Sequence, residues 1–187
     1  MSTVSRALVD PHLAPVKDGS TAKTGARGAE DLLREIAERM GDSWLPLIYS
    51  RRILTLRTRA YEFPLLTGDA PPQIQHTLLG IELKVGRKRM LCPDLATARY
   101  LAVFARVGCT AIAIPYDITK ISHLADEFES SWHRMLLLAD ALTSNRNRAF
   151  ATRVRTRLIG TVRKAIAAAG AGSRIPAFKP IKRQARR

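Results

Sequence analysis

At 187 residues and 46% apolar content, the chain is long enough to bury one proper core and too short for two full domains. Residues 1–28 contain no apolar leader, and no run approaches the roughly 18 continuous apolar residues of a spanning helix. With only two cysteines, Cys92 and Cys109, a disulfide framework has little support, and reduced, buried thiols in a cytoplasmic protein are expected. The formal net charge is +15, and it is lopsided: 13 of the 31 Lys and Arg, and none of the 16 Asp and Glu, follow Asp140, which leaves the first 140 residues at only +2. A polycationic end on a near-neutral body neutralises phosphates and releases their counterions, so a nucleic acid is the expected partner. An anionic membrane surface would attract the same tail, but the reading favours nucleic acid, DNA over RNA, with no membrane role and a nucleoid-associated location.

In chain order, residues 1–28 mix Pro11, Pro15, Gly19, Ser20 and Gly25 with few large apolar side chains, a composition that predicts disorder. Leu32, Leu33, Ile36, Ala37 and Met40 then recur at helical spacing, with Glu30 and Asp31 at the positive end and Gly41 at the stop. Residues 53–65, rich in Thr, Tyr and β-branched side chains, predict a strand ended by Pro64 and the Thr67-Gly68-Asp69-Ala70-Pro71-Pro72 stretch. A second extended segment covers 73–85, and Gly86-Arg87 turn it into a short third strand, 88–91. Asp94 is expected to cap a helix that closes at Gly108, and 109–114 is an apolar run of the buried-strand kind. Asp117 or Thr119 caps a longer helix to about Leu142. After Asn145-Arg146-Asn147 comes a last helix in which Phe150, Val154, Leu158, Val162 and Ile166 recur every four residues. Its other faces carry Arg148, Arg153, Arg155, Arg157, Arg163 and Lys164. The organisation expected is an N-terminal segment (1–28), an α/β core (29–145), a basic amphipathic helix (146–170) and a flexible basic tail (171–187) with Lys179, Lys182 and Arg183.

Within the second extended segment, Ile81-Glu82-Leu83-Lys84-Val85 alternates, so Glu82 and Lys84 share one strand face. Asp69 lies in the preceding loop and Glu62 further upstream. An acid, then Glu-x-Lys on a strand, then a helix and another strand resembles the core of the PD-(D/E)xK nuclease superfamily over about residues 29–115, nearest in look to archaeal-type Holliday junction resolvases. The resemblance implies a restriction endonuclease-like αβββαβ core with a basic C-terminal helical extension. It implies a Mg2+- (or Mn2+-) dependent endonuclease acting on DNA, structure-selectively or non-specifically, and it suggests a homodimer. On it, Glu82 and Asp69 are metal ligands, Glu62 is the alternative to Asp69, Lys84 is the catalytic lysine, and Glu35 or Glu38 can add a ligand. The residue types suit the chemistry: hard divalent cations take carboxylate oxygens and activate a water, and a lysine holds that water or stabilises charge on the phosphate. Asp69 departs from the pattern, since Ala70-Pro71-Pro72 rather than apolar residues follow it.

Arg87, Lys88 and Arg89, in the hairpin after Glu82-x-Lys84, are placed to touch the phosphate backbone, or form a basic solubilising turn. His76 shares the parity of Glu82 if 73–85 is one strand. His123, Asp126, Glu127 and His133 read as a solvated helix face, Trp44, Tyr100, Phe104 and Trp132 as core, and Cys92 and Cys109 lack zinc-site spacing. Two other readings stand beside the nuclease: a non-catalytic nucleic-acid-binding protein, and an assembly subunit docking through its last amphipathic helix.

Overall fold

The computed structural model describes residues 28–63 and 71–172. Residues 1–27, Asp69, Lys179, Lys182 and Arg183 lie outside the described residues.

The first helix, α1 (Ala29–Met40), forms as its pattern predicts; the Gly28 N–H donates to the Asp31 carboxylate (3.2 Å), and Gly41 ends it at φ 51°. The strand expected over 53–65 begins later. Leu45, Ile48, Tyr49 and Ile53 are buried at helical spacing, so a one-turn helix, α2 (Leu45–Ile48), runs into a π-helical turn (Tyr49–Ile53), and only Thr58–Glu62 extends as β1. The segment 73–85 is two strands rather than one: β2 (Gln73–Thr77) and β3 (Gly80–Val85) form a hairpin about Leu78-Leu79. Gly80 supplies the φ of 123° that a side chain rarely adopts, and the Thr77 hydroxyl accepts from the Leu79 N–H at 3.3 Å.

From β4 (Lys88–Cys92) the chain enters α3 (Leu95–Val107), capped by the Asp94 carboxylate on the Thr97 N–H (2.7 Å) and closed by Gly108 in the left-handed conformation. Next come β5 (Ala111–Pro115), a 3-10 turn capped by Asp117, and α4 (Ile121–Thr143). Asn147 caps α5 (Arg148–Ala169) through the Phe150 N–H (2.8 Å).

The protein is mixed α/β, with small antiparallel sheets. Among the described residues β2-β3-β4 form a meander, and β5 pairs antiparallel with β1. Nearly every face of α3 is buried, which makes it the central helix, with Tyr100, Leu101, Val103, Phe104 and Val107 all in the core. Tyr49, Tyr100, Phe104 and Phe128 form an edge-packed aromatic cluster with ring centroids 5.0 to 5.7 Å apart. The α5 stripe of Val154, Leu158, Val162 and Ile166 belongs to the same core, at about 1.5–3 kcal/mol per buried side chain. The basic helix is thus built into the fold, and its outer faces alone meet solvent.

Candidate functional site

Register decides what each side of the meander presents. Glu82 is paired with Gln75 and Leu91, and Lys84 with Gln73 and Arg89, so these six residues share one face. Leu83, with Ile74 and Met90 beside it, turns to the other face and the core. His76 is paired with Ile81 and so falls on the face opposite Glu82; the hairpin reverses the parity that a single strand would have given it.

Glu82 is only 8% exposed. Its Oε1 accepts from the Thr77 hydroxyl at 3.3 Å. Among the described residues its Oε2 has no hydrogen-bond partner, and the one cation within ion-pairing distance is the Arg89 Nη1 at 3.7 Å, beyond hydrogen-bonding range. Leaving such an oxygen buried costs about 1–3 kcal/mol, more when charged. Apart from Arg106 Nη1, it is the one buried side-chain polar atom without a partner among the described residues. Lys84 is half-buried beside it, while Arg87, Lys88 and Arg89 are exposed on the β3–β4 turn and the start of β4, where Gly86 takes φ 58°.

The other expected ligands are not gathered there among the described residues. Glu62 stands exposed at the end of β1, in the other sheet, and Glu35 is ion-paired with Arg39 along α1. No group of three or more His, Cys, Asp or Glu suited to a metal is found among the described residues, which do not include Asp69. On α4, Asp126 and Glu129 hold Arg99, and Glu127 reaches Arg52 at 3.4 Å. Trp132, Tyr100 and Phe104 are buried and Trp44 packs partly against the core.

The α5 cations divide by partner. Arg155 makes two hydrogen bonds to the Asp140 carboxylate (2.7 and 2.6 Å), Arg157 pairs with Glu30 at 3.0 Å, and Arg163 Nε donates to the Val107 carbonyl at 2.9 Å. Arg148, Arg153 and Lys164 are exposed and make no ion pair among the described residues. Both cysteines are buried free thiols, and burial pushes Cys109 up to about 12 against a partial lowering by Arg163.

Sequence reasoning passed over the end of the β1–β5 ribbon. There the Arg57 guanidinium lies 5.1 Å from the centre of the Tyr116 ring, with Arg59 exposed two residues along. The signal lay in Arg51, Arg52, Arg57 and Arg59, a cation cluster upstream of the polycationic end.

No family model matches the chain, and no curated protein or solved structure matches it significantly. Among the described residues no helix is long and apolar enough to cross a membrane.

Proposed function

We propose that this chain binds nucleic acid and hydrolyses its phosphodiester bonds with a divalent cation held at Glu82, on a restriction endonuclease-like core. The observation that carries the reading is the buried, unpartnered Oε2 of Glu82 beside Lys84. A buried carboxylate oxygen without a donor calls for an ion or a water, and a hard cation takes such an oxygen directly. Asp69 would complete the ligand set, and Lys84 would orient the attacking water or meet charge on the scissile phosphate. The exposed Arg87, Lys88 and Arg89 and the exposed α5 cations Arg148, Arg153 and Lys164 would bind the backbone without reading sequence, with a contribution from Lys179, Lys182 and Arg183 of the tail.

The test is cleavage of labelled duplex, single-stranded and four-way-junction DNA with magnesium, manganese or chelator, beside Glu82→Ala and Lys84→Ala. Metal-dependent products lost in both variants are expected; no cleavage of any substrate sinks the hydrolytic part. A second reading, binding without hydrolysis, is favoured by Arg89, whose guanidinium already supplies positive charge at Glu82. It predicts binding of all three substrates in low salt, unchanged by Glu82→Ala, with no products.

A further inference from the structure

We propose that the Arg57–Tyr116 pair, with the basic-rimmed groove beside it, is a stacking site for unpaired nucleotides of a single-stranded nucleic acid. The proposal rests on the nucleic-acid reading above and is independent of hydrolysis.

The Tyr116 N–H donates to the Arg57 carbonyl at 3.1 Å, which continues the β1–β5 ladder one step past Thr58 and Pro115. The two side chains are therefore cross-strand neighbours on one face of the ribbon. Among the described aromatic residues, Tyr116 alone is exposed, at 49%; the others are buried or partly so. A solvated tyrosine with a guanidinium over its ring offers a base a π surface and its phosphate a cation, the two elements of sequence-tolerant single-strand binding.

A groove of about 390 Å³ is lined by Leu56, which precedes Arg57 in the chain, and by Thr119, three residues after Tyr116; Arg57 and Tyr116 themselves stand outside its lining. Leu56 and Leu124 give it an apolar floor, and Arg52, Lys120 and His123 stand on its rim. Two acids are nearby: Glu127 is paired with Arg52, and Asp117 accepts from the Thr119 N–H and hydroxyl and keeps its negative charge. Arg52, Arg57, Arg59 and Lys120 set against Glu127 and Asp117 leave the rim and the pair at a net 4 − 2 = +2, which suits a polyanion.

The course of the C-terminal chain points to the same end of the ribbon. A Cβ on Gly172 would lie 2.5 Å from Thr58 Oγ1 and 3.3 Å from the Ala113 Cβ, so the described chain ends against the residue next to Arg57, on the other face of the ribbon.

The experiment is fluorescence anisotropy of the full chain in chelator, with a labelled oligothymidylate, a matched duplex and phosphatidylserine vesicles as separate probes. Tyr116→Ala is expected to weaken single-strand binding about tenfold, within the range for loss of one stacked base, while duplex binding stays unchanged. Tyr116→Phe, which keeps the ring, retains wild-type affinity, and Arg57→Ala shows a smaller loss on the single strand. Equal single-strand affinity in Tyr116→Ala overturns the site, as does an equal loss on duplex, or a loss seen on vesicles alone. In each of those cases wild-type binding to DNA leaves the broader nucleic-acid reading in place; failure of the wild type to bind either DNA removes both.

Discussion

The Tyr49 hydroxyl accepts the Ala113 N–H at 2.8 Å and donates to the Gly170 carbonyl at 2.7 Å, joining the middle of β5 to the end of α5. The Tyr100 hydroxyl donates to the Ala113 carbonyl at 2.7 Å, so both peptide groups of that residue are satisfied by tyrosines on the side away from β1. That edge of β5 is closed to a further strand. Among the described residues β5 accordingly pairs with β1 alone, and Gly170 at the end of α5 is tied to the ribbon.

Tyr49→Phe keeps the ring in the aromatic cluster and removes only the hydroxyl. The Ala113 N–H and the Gly170 carbonyl then lose their partner, at about 1–3 kcal/mol for a buried donor left unsatisfied. Urea unfolding should show that loss with an unchanged m-value. A variant as stable as the wild type would mean that water replaces the hydroxyl.

Burial sets the alkaline limit. The Cys109 thiol is pushed from 9.0 up to about 12 by desolvation, and burial also raises Cys92, Tyr49 and Tyr100. Each favours its neutral form in the folded chain. These groups therefore contribute no pH dependence below the unfolded-state values, and stability falls as pH rises from about 9 towards 12, because the unfolded chain releases its protons first. Unfolding free energies at about pH 8 and about pH 10.5 should differ in that direction. At about pH 8, iodoacetamide should label neither cysteine in the folded protein and both in denaturant; rapid labelling of folded Cys109 contradicts its burial.

Local signals were readable in the sequence, and long-range ones were not. Asp94 and Gly108 announced both ends of α3 because a cap and a left-handed residue act within one turn. The β2–β3 turn escaped notice because Leu78-Leu79, exposed apolar residues, carry no turn signal, and the chain reversal depends on Gly80 just beyond them. Ile53 had strand propensity, but its burial follows the helical spacing set from Leu45. For the site, the shared face of Glu82 and Lys84 followed from alternation alone. The Arg57–Tyr116 pair and the capture of Arg155 by Asp140 depend on tertiary register, to which neither composition nor period refers.

At the meander the Arg89 guanidinium stands 3.7 Å from the Glu82 Oε2, so a cation bound at Glu82 as proposed would compete with it for the same oxygen. On the proposed function, magnesium or manganese at ten times its dissociation constant should stabilise the wild type by about 1.4 kcal/mol, read as a rise in Tm. Glu82→Gln should abolish the rise, and Arg89→Ala should enlarge it at the same metal concentration by removing the competitor. An equal rise in Glu82→Gln would move the cation elsewhere.

The division of α5 cations by partner makes the last prediction selective. A cation that contacts phosphate contributes about 0.9 to the slope of log affinity against log salt on duplex DNA. Arg153 and Lys164 are exposed without an ion-pair partner among the described residues, so Arg153→Ala and Lys164→Ala should each lower that slope by about 0.9 and leave stability within about 0.5 kcal/mol. Arg155 is already held by both oxygens of Asp140, an exposed pair worth about 0–1 kcal/mol, so its replacement should change the slope little and stability slightly. Titrations of each variant with duplex at several salt concentrations separate the two kinds of arginine. If Arg155→Ala lowers the slope as much as Arg153→Ala does, phosphate displaces Asp140 on binding, and the α4–α5 groove lined by Arg148 and Arg155 becomes part of the nucleic-acid interface.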